Sequence, residues 1–570
     1  MENDIVKLLK TEGVDAKSDE LERPPKPEFG DMAYPCFNLA KSRKKSPYDI
    51  AKEIADDIGK KLPNGNIERV DVRGGYVNFF FNWDKLSAKI INGITDKKDG
   101  YGKPSKLKKE KIMVEYSQPN PVHSMHIGHA RGTFLGDALA NLYEFMGHNV
   151  IRANYMNDSG LQVAKLVTAI DIWAKGKNPE GKEDEWLWKY YVKFHEEAEK
   201  DSALEEKARE TLRLIDIEKE KKTVALRDKI VGWCIDGFEK TYKRVGIKFD
   251  VYLHESKFRD EGKRIVEKAM KKKINGKPLA FKSDEGTIVA DLEDYGLPGL
   301  VILRSDGTGL YQTSDLGMTA YKFEHYKVDK AIWVVASAQN LYFQQIKKIF
   351  SLLGYKWVDN AVHFSFDLVR LPEGKMSSRK GKAILLDEVL DKLIGMAEDG
   401  IEKREIKHDK TAKKAVSTSV GVGALKYSIE KVDPEKGITF EFEQMMSFEG
   451  NTGPYLQYAH TRCASILNKI KRKKKKIKPV DIRSHEIELI RILNDFPKVV
   501  EQASNEMKIN LICNYSYDVA NAFSTFYNSC SVLNADSEGQ KEFRLALVEA
   551  TKIVLKNSLG ILGIDALERM

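Results

Sequence analysis

Cysteine is scarce in this sequence, and its spacing carries no metal-binding or disulfide pattern. No Cys-x-x-Cys pair occurs, and the cysteines are odd in number and scattered: Cys36, Cys234, Cys463, Cys513 and Cys530. Zinc sites built on cysteine use closely paired ligands, and secreted disulfide scaffolds use an even and dense set. The sequence therefore predicts neither kind of site, and we expect a reducing, cytoplasmic compartment.

Long apolar runs are also missing. Stretches such as Ala331–Ala336 fall far short of the roughly 20 residues that span a bilayer. The first residues, Met1–Asp4, do not combine a basic start with an apolar run, as a secretory signal does. We therefore expect no membrane association.

Neither sign of charge dominates the composition. Lysine and arginine number 94 against 85 acidic residues, and the net charge of +9 permits an anionic partner without requiring one. Hydrophobic residues make up 42% and charged residues 31%, which excludes a disordered chain. At roughly 150 residues per domain, the length predicts three or four domains.

Two different patterns follow one another along the first part of the chain. Helical apolar spacing at Ile50–Ile58 and a β-branched, aromatic stretch at Val70–Phe81 predict a small α+β unit. Beyond it, a strand at Ile112–Tyr116, a helix at Ala130–Gly147 and a strand at Asn149–Tyr155 predict a parallel, doubly wound sheet.

The remaining patterns complete the predicted architecture. An insertion interrupts the sheet pattern at about 176–300, and its residues 176–265 are highly charged and mostly helical in pattern. Helical spacing dominates after residue 405. We therefore predict an α/β protein in which a Rossmann-type parallel-sheet catalytic domain (109–405) follows a small N-terminal α+β domain (1–108). An all-α C-terminal domain (406–570) completes the chain.

The first candidate site is the segment SQPNPVHSMHIGHAR, Ser117–Arg131. His126 and His129 flank Gly128 where a strand gives way to a helix, and such a junction offers free backbone N–H groups and a positive dipole end to a phosphate. Two imidazoles there could also stabilise charge on a phosphoryl group. The alternatives are a helix start with incidental histidines or, less favoured, a metal pair.

The second candidate site is the segment GKMSSRKG, Gly374–Gly381. It lies beyond a predicted strand and combines three cationic side chains, Lys375, Arg379 and Lys380, with two hydroxyls and flanking glycines. Such a loop is suited to phosphate. Taken alone, the segment is better explained as a solvated basic loop.

Together the two segments resemble the paired ATP-binding motifs of class I aminoacyl-tRNA synthetases. The resemblance implies that they bind ATP from opposite halves of a Rossmann sheet and stabilise a pentacoordinate transition state by positioning and electrostatics. The resemblance also implies that His126, His129 and Lys375 are catalytic residues. The implied ATP-binding residues are His126, Gly128, His129, Val369, Lys375, Met376, Ser377, Ser378 and Lys380. Mg²⁺ is expected with the nucleotide, carried mainly by phosphates and water.

Longer stretches resemble the arginyl-tRNA synthetase family, in that family's order. They are VEYSQPNP, HIGHARG, NYMNDSGLQ, RSDGTGLYQTSDL, GKMSSRKG and TGPYLQYAHTR, and the resemblance covers nearly the whole chain. It implies an arginine–tRNA ligase that forms arginyl-adenylate from L-arginine and ATP and transfers arginine to the 3′-terminal adenosine of tRNA-Arg. It further implies that activation requires bound tRNA and that the chain is a monomer.

The resemblance also implies an arginine site formed by Glu115, Asn120, Tyr311, Asp315 and Gln339. These residue types suit a guanidinium group, which needs carboxylates and other hydrogen-bond acceptors. Tyr311 and Asp315 are four apart and share a helix face, although a helix N-cap is an alternative role for Asp315. A carboxylate in a buried strand, as at Glu115, is costly without a partner and indicates a site.

Two positions depart from the family pattern. Ser378 replaces the usual second lysine of the late motif, which leaves open whether Lys375, Arg379 or Lys380 reaches the phosphates. Around Gln339 the family often has an acidic residue and a histidine, whereas this sequence has Ser-Ala-Gln-Asn.

tRNA recognition requires cations for phosphates and platforms on which bases stack. By resemblance, an anticodon-binding helix face carries Tyr455, Tyr458 and Arg462, Met570 packs near it, and Tyr76 and Asn78 contact the tRNA elbow. Aromatic core packing is the alternative for Tyr455 and for Tyr458. The basic run Lys469–Lys478 is as compatible with a solvated helix extension as with an RNA patch.

Three other functions are alternatives: a class I synthetase for another amino acid such as lysine or glutamate, a non-catalytic tRNA-binding paralogue, and a related adenylyltransferase. The acidic pair Glu115 and Asp315 argues against an acidic substrate. Intact ATP motifs argue against the paralogue, and the long helical C-terminal region argues against the adenylyltransferase.

Overall fold

The structure is a computed structural model that describes residues 1–62, 65–370, 384–403, 409–439, 442–470, 476–478, 480 and 482–570. These residues form two compact units. The first comprises residues 1–101, 463–495 and 521–554, and the second comprises residues 102–462, 496–520 and 555–570.

The N-terminal part of the first unit is a three-stranded antiparallel sheet with helices. Its elements are α1 (Glu2–Thr11), β1 (Met32–Pro35), α2 (Phe37–Arg43), α3 (Pro47–Lys61), β2 (Ile67–Arg73), β3 (Tyr76–Phe81) and α4 (Trp83–Lys97). The strand order is β1-β3-β2. Helix α3 begins where the Ser46 hydroxyl accepts from the Asp49 N–H, 3.1 Å away, and its isoleucines at 50, 54 and 58 are buried. The predicted helix and strand pair are thus confirmed.

The second unit contains the parallel sheet and its insertions. Its elements up to the last parallel strand are β4 (Lys111–Glu115), α5 (Ile127–Met146), β5 (Asn149–Met156), α6 (Leu161–Trp173), α7 (Glu183–Ala198), α8 (Ala203–Asp216), α9 (Lys221–Arg244), β6 (Val251–His254), α10 (Arg259–Lys271), β7 (Lys273–Ile274), β8 (Lys277–Pro278), β9 (Ala280–Lys282), β10 (Ile288–Ala290), β11 (Leu300–Leu303), α11 (Tyr311–Glu324), β12 (Lys330–Ala336), α12 (Asn340–Leu353) and β13 (Ala361–Phe366).

The parallel sheet has the order β13-β12-β4-β5-β6. Its central strand β4 carries Ile112, Met113 and Val114, all fully buried, because helices cover both faces of such a sheet. From β4 the chain proceeds to β5 and β6 on one side and later returns to β12 on the other. The strand order therefore reverses between β4 and β12, and the crevice at their carboxyl ends is where α/β sheets bind ligands.

The predicted insertion at 176–300 contains more than helices. Helices α7, α8 and α9 come first, but β6 then joins the parallel sheet beside β5, and a small antiparallel sheet of β9, β10 and β11 follows. The uninterrupted run of helices therefore ends before Val251, and helix α10 follows β6.

The last part of the chain is mainly helical within the described residues, as predicted. Its elements are β14 (Val369–Arg370), α13 (Leu386–Lys403), α14 (Lys410–Glu430), β15 (Ile438–Thr439), α15 (Phe442–Met445), α16 (Gly453–Asn468), α17 (Ser484–Glu506), α18 (Ile509–Ser529) and α19 (Glu538–Ile561). Strands β14 and β15 pair in parallel. Helices α16 to α19 contribute segments to both units.

All five cysteines lie within the described ranges as buried thiols outside disulfides. None of the helices in those ranges combines the length and apolar character that a bilayer crossing needs.

Candidate active site

A cavity of about 200 Å³ opens at the carboxyl ends of β4 and β12, where the strand order reverses. Four of the five predicted arginine-site residues line it: Glu115, Tyr311, Asp315 and Gln339. Residues that the sequence analysis did not single out complete its wall: Gln118, Tyr155, Asn157, Thr319, Trp333, Val335, Tyr342, Phe343 and Ile346. The site therefore combines acidic groups with aromatic walls.

Glu115 ends the buried central strand and is only 5% exposed. Its Oε2 lies 2.5 Å from the Nζ of Lys322 on α11, which is also buried. The ion pair with this lysine offsets the desolvation cost of placing a carboxylate in a buried strand. Sequence reasoning missed Lys322, although it lies seven residues after Asp315 and hence on the same face of one helix.

Asp315 is the second acidic group of the cavity. It accepts a hydrogen bond of 2.5 Å from the hydroxyl of Tyr342. Burial, together with the nearby carboxylates of Glu255 and Glu115, raises the pKa of Asp315 to about 7 against the lowering effect of that bond. The carboxyl group is thus poised to gain stabilisation from a bound cation.

Glu255 is the third acidic group, at 3% exposure next to the cavity. It accepts a hydrogen bond of 2.8 Å from the hydroxyl of Tyr155, and burial raises its pKa. Three carboxyl groups thus converge on a region in which Lys322 is ion-paired to one of them. Such a region favours a cationic ligand.

The two predicted arginine-site residues with amide side chains differ in their placement. Gln339 follows β12 and lines the cavity, whereas Asn120 is not among the lining residues. The Oδ1 of Asn120 is shielded from solvent and has no hydrogen-bond partner among the described residues. A buried acceptor without a partner is rare in native proteins and is compatible with a group that meets a ligand.

The predicted ATP motif forms the start of α5. The Nδ1 of His126 accepts from the N–H of Gly128 at 3.1 Å, and the Nδ1 of His129 accepts from the N–H of His126 at 3.2 Å. The two rings stack with centroids 3.9 Å apart. Burial lowers the pKa of His126 to about 4 and that of His129 well below its usual value, with further lowering from His126 and His123.

These contacts fix the tautomer of both imidazoles. A neutral ring whose Nδ1 accepts a hydrogen bond carries its proton on Nε2. Both histidines are therefore neutral Nε2–H donors at the positive end of a 20-residue helix. This arrangement suits a polyanion such as a nucleotide triphosphate.

The late motif, Lys375, Met376, Ser377, Ser378 and Lys380, lies outside the described residues, as does Arg379. The chain on either side of it is described. Before it, Val369 in β14 pairs with Ile438 in β15. After it, the N–H of Leu386 donates to the carbonyl of Met125 at 3.0 Å, and the N–H of Ile127 donates to the carbonyl of Ile384 at 3.1 Å. The segment that follows the late motif thus lies along the first ATP motif.

The residues predicted to contact the anticodon lie on or near α16. Tyr458 is 38% exposed, and the Arg462 guanidinium lies 6.0 Å from its ring centroid. Tyr455 is partly buried, with its ring 5.9 Å from that of Tyr517. The chain end packs on the same helix, since the carbonyl of Leu567 accepts from the Thr461 hydroxyl at 2.8 Å. Met570 follows three residues later.

The two residues predicted to contact the tRNA elbow differ in exposure. Tyr76 is partly exposed, and its ring makes an edge contact at 5.2 Å with that of Phe37, which is 50% exposed. Asn78 is only 4% exposed. The chain at Gly30 covers it, because a Cβ at Gly30 would lie 3.4 Å from the Cβ of Asn78. Asn78 instead donates from Nδ2 to the carbonyl of Tyr76 at 3.4 Å.

Comparisons with known proteins identify the family of the chain. Three family profiles match the chain: Arginyl tRNA synthetase N terminal domain at residues 2–81, tRNA synthetases class I (R), catalytic domain at residues 90–442, and DALR anticodon binding domain at residues 456–570. Arginine–tRNA ligase from Clostridium perfringens is 35% identical over 566 residues and covers 98% of both chains. The enzyme of the same name from Clostridioides difficile is 36% identical and covers 99% of both chains.

A solved structure extends the similarity to three dimensions. The arginyl-tRNA synthetase of Thermus thermophilus superposes with a TM-score of 0.81 at 27% identity and covers 100% of this chain and 99% of its own. The catalytic profile spans well over half of the chain, and the relatives match along its length. The chain therefore belongs to the arginyl-tRNA synthetase family, the arginine–tRNA ligases of class I.

Proposed function

We propose that this arginine–tRNA ligase binds arginine in the carboxylate-lined cavity at the end of β4 and binds ATP at the start of α5. A carboxylate oxygen of arginine attacks the α-phosphorus of ATP, which forms arginyl-adenylate and releases pyrophosphate. A hydroxyl of the terminal adenosine of tRNA-Arg then attacks the arginyl carbonyl carbon, and AMP leaves. The convergence of Glu115, Glu255 and Asp315 at the cavity carries this assignment.

Arginine is proposed to bind by its two cationic ends. Glu115 and Asp315 provide acceptors for the guanidinium or the α-ammonium, and Tyr311, Asn120 and Gln339 complete the polar contacts. Two observations support this: the cavity is lined by aromatic rings that suit a planar cation, and the Oδ1 of Asn120 has no partner among the described residues.

ATP is proposed to enter as its Mg²⁺ complex, with the cation held by phosphates and water. The Nε2–H groups of His126 and His129 donate to phosphate oxygens, and Gly128 lets the backbone approach the nucleotide. The other proposed ATP contacts are Val369, Lys375, Met376, Ser377, Ser378 and Lys380. The packing of Ile384 and Leu386 along the first ATP motif supports the joint action of both motifs.

tRNA is proposed to contact two separate surfaces. The anticodon loop is proposed to contact Tyr455, Tyr458, Arg462 and Met570. The elbow is proposed to contact Tyr76, whose backbone carbonyl is bound by the buried Asn78. The proposed domains span 1–108, 109–405 and 406–570. We further propose that the chain acts as a cytoplasmic monomer and activates arginine only with tRNA bound.

ATP–pyrophosphate exchange tests this function. Each of the twenty amino acids is assayed with and without unfractionated tRNA. The proposal predicts exchange with arginine alone, and only when tRNA is added. Exchange with another amino acid would overturn the arginine site, and arginine exchange without tRNA would overturn the tRNA requirement. No exchange from folded protein would favour a tRNA-binding role without catalysis.

A further inference from the structure

The turn between Glu115 and Asn120 has an unusual backbone. Ser117 and Gln118 have φ angles of +76° and +54°, and nowhere else in the described ranges do two adjacent non-glycine residues have positive φ. This left-handed region costs free energy for any residue with a Cβ, and such conformations persist only where the surroundings hold them. The turn borders the arginine cavity, which Gln118 lines. The Nε2 of Gln118 lies 3.4 Å from the Oε1 of Glu115.

A directed chain of hydrogen bonds holds this turn. The hydroxyl of Thr133 donates to the carbonyl of His129 at 2.7 Å, so its oxygen is left to accept from the Ser117 hydroxyl, 2.8 Å away. Ser117 in turn accepts from the hydroxyl of Tyr242 at 2.7 Å, and Tyr242 accepts from the Nδ2 of Asn154 at 3.0 Å. Each hydroxyl donates once and accepts once.

The same chain fixes the second strained residue. The Oδ1 of Asn154 accepts from the backbone N–H of Gln118 at 3.2 Å. Thr133, Asn154 and Tyr242 are all fully buried, so their hydrogen bonds do not compete with water. Tyr242 comes from α9 and does not line the arginine cavity. The inserted helical region thus supplies the hydroxyl on which the turn depends.

We propose that Tyr242 is a positioning residue that keeps the Ser117–Gln118 turn left-handed and so holds Glu115 and Gln118 in place for arginine. The inference rests on the proposed arginine site and extends it to a residue outside that site. If the turn relaxes in the free enzyme, only a fraction of molecules is competent, and the apparent arginine affinity falls by that fraction.

Three variants test the role through the KM for arginine and the KM for ATP in aminoacylation, with the melting temperature as a check on folding. Tyr242→Phe removes one hydroxyl and is expected to raise the arginine KM about tenfold while the ATP KM and kcat stay unchanged. Ser117→Ala and Ser117→Gly both delete the serine hydroxyl, but glycine adopts positive φ without steric cost. The arginine KM is therefore expected to rise with alanine and to stay near the wild-type value with glycine.

A purely structural role predicts a different pattern. Equal arginine KM values for Ser117→Ala and Ser117→Gly, or an unchanged KM in Tyr242→Phe, would overturn the inference. The comparison at position 117 decides the question even if Tyr242→Phe does not fold, because Tyr242 remains in place there. In Ser117→Gly, the additional change Tyr242→Phe should have little effect on the arginine KM. A wild-type chain that cannot charge arginine would instead overturn the proposed function.

Discussion

At the scale of single residues, the main feature of the cavity is that carboxyl groups outnumber the cationic side chains beside them. Glu115 is ion-paired with Lys322, whereas Asp315 has a phenolic donor and two acidic neighbours. A cation that enters the cavity therefore gains most at Asp315. Asp315 should also couple the binding of arginine to the release of a proton.

Arginine affinity is predicted to depend on pH. The pKa of Asp315 is raised to about 7 in the empty cavity, so the group is mostly protonated below pH 7 and ionised above it. A bound cation favours the ionised form and lowers this pKa, so arginine binding releases a proton below pH 7. Affinity should then fall by up to about tenfold per pH unit below 7 and level off above it.

Calorimetry measures this directly. Titrations at pH 6.5 and pH 8, each in two buffers of different ionisation enthalpy, should reveal proton release at the lower pH and almost none at the higher. The raised pKa of Glu255 contributes with the same sign. Equal affinities and no proton release at both pH values would contradict the prediction.

At the scale of elements, the start of α5 combines two roles in the same side chains. His126 caps the helix through Nδ1, and Nε2 is left as the donor to a ligand. The two roles are separable because asparagine is a good N-cap but places no donor at the position of the imidazole Nε2. The helix start can therefore be kept while the phosphate contact is removed.

His126→Asn is predicted to preserve stability and to impair catalysis. Loss of one donor to the transition state should lower kcat by about 100- to 1,000-fold, while the melting temperature stays close to that of the wild type. Steady-state kinetics and thermal unfolding measure the two effects, and His325→Ala, at an exposed position on the end of α11, is the control. A normal kcat in His126→Asn would show that His126 serves only as a cap.

At the scale of the whole molecule, the residues proposed for tRNA lie far from the arginine cavity in sequence and act on a different ligand. Tyr458 and Arg462 present an aromatic face and a guanidinium on α16, and the chain end is bound to that helix through Leu567. Binding of tRNA and binding of arginine should therefore be separable by mutation.

Tyr458→Ala is predicted to raise the KM for tRNA without changing the KM for arginine. Loss of one base-stacking platform should raise the KM for tRNA by about 5- to 150-fold. Tyr458→Phe keeps the ring and should retain most of the tRNA affinity. Aminoacylation at varied tRNA concentration provides the measurement. A normal tRNA KM in the alanine variant would contradict a base-stacking role for Tyr458.

The sequence was most informative where one residue conflicts with its surroundings. A carboxylate at the end of an apolar strand indicated a site at Glu115, and glycine with two histidines at a strand-to-helix junction indicated the start of α5. Lys322, Tyr342 and Tyr242 carry no comparable signal, because their roles arise only when α11, α12 and α9 pack against the sheet.

The burial of Asn78 is another feature that the local sequence pattern does not reveal. Tyr76 and Asn78 are two apart on β3, which places both side chains on one face and suggests similar exposure. The chain at Gly30 packs over Asn78 alone, and this tertiary contact has no signature in the local pattern. Similarly, the short strand β6 inside the charged insertion could not be recognised by composition.

The most direct test of the account is the kcat/KM for arginine of Asp315→Asn against Glu324→Gln. Both variants remove one negative charge from α11, but Glu324 is exposed at the helix end and Asp315 faces the cavity. The account predicts a loss on the order of 100-fold for Asp315→Asn and none for Glu324→Gln, with the KM for ATP unchanged in both. Equal arginine kcat/KM values for the two variants would contradict the assignment of this cavity to arginine.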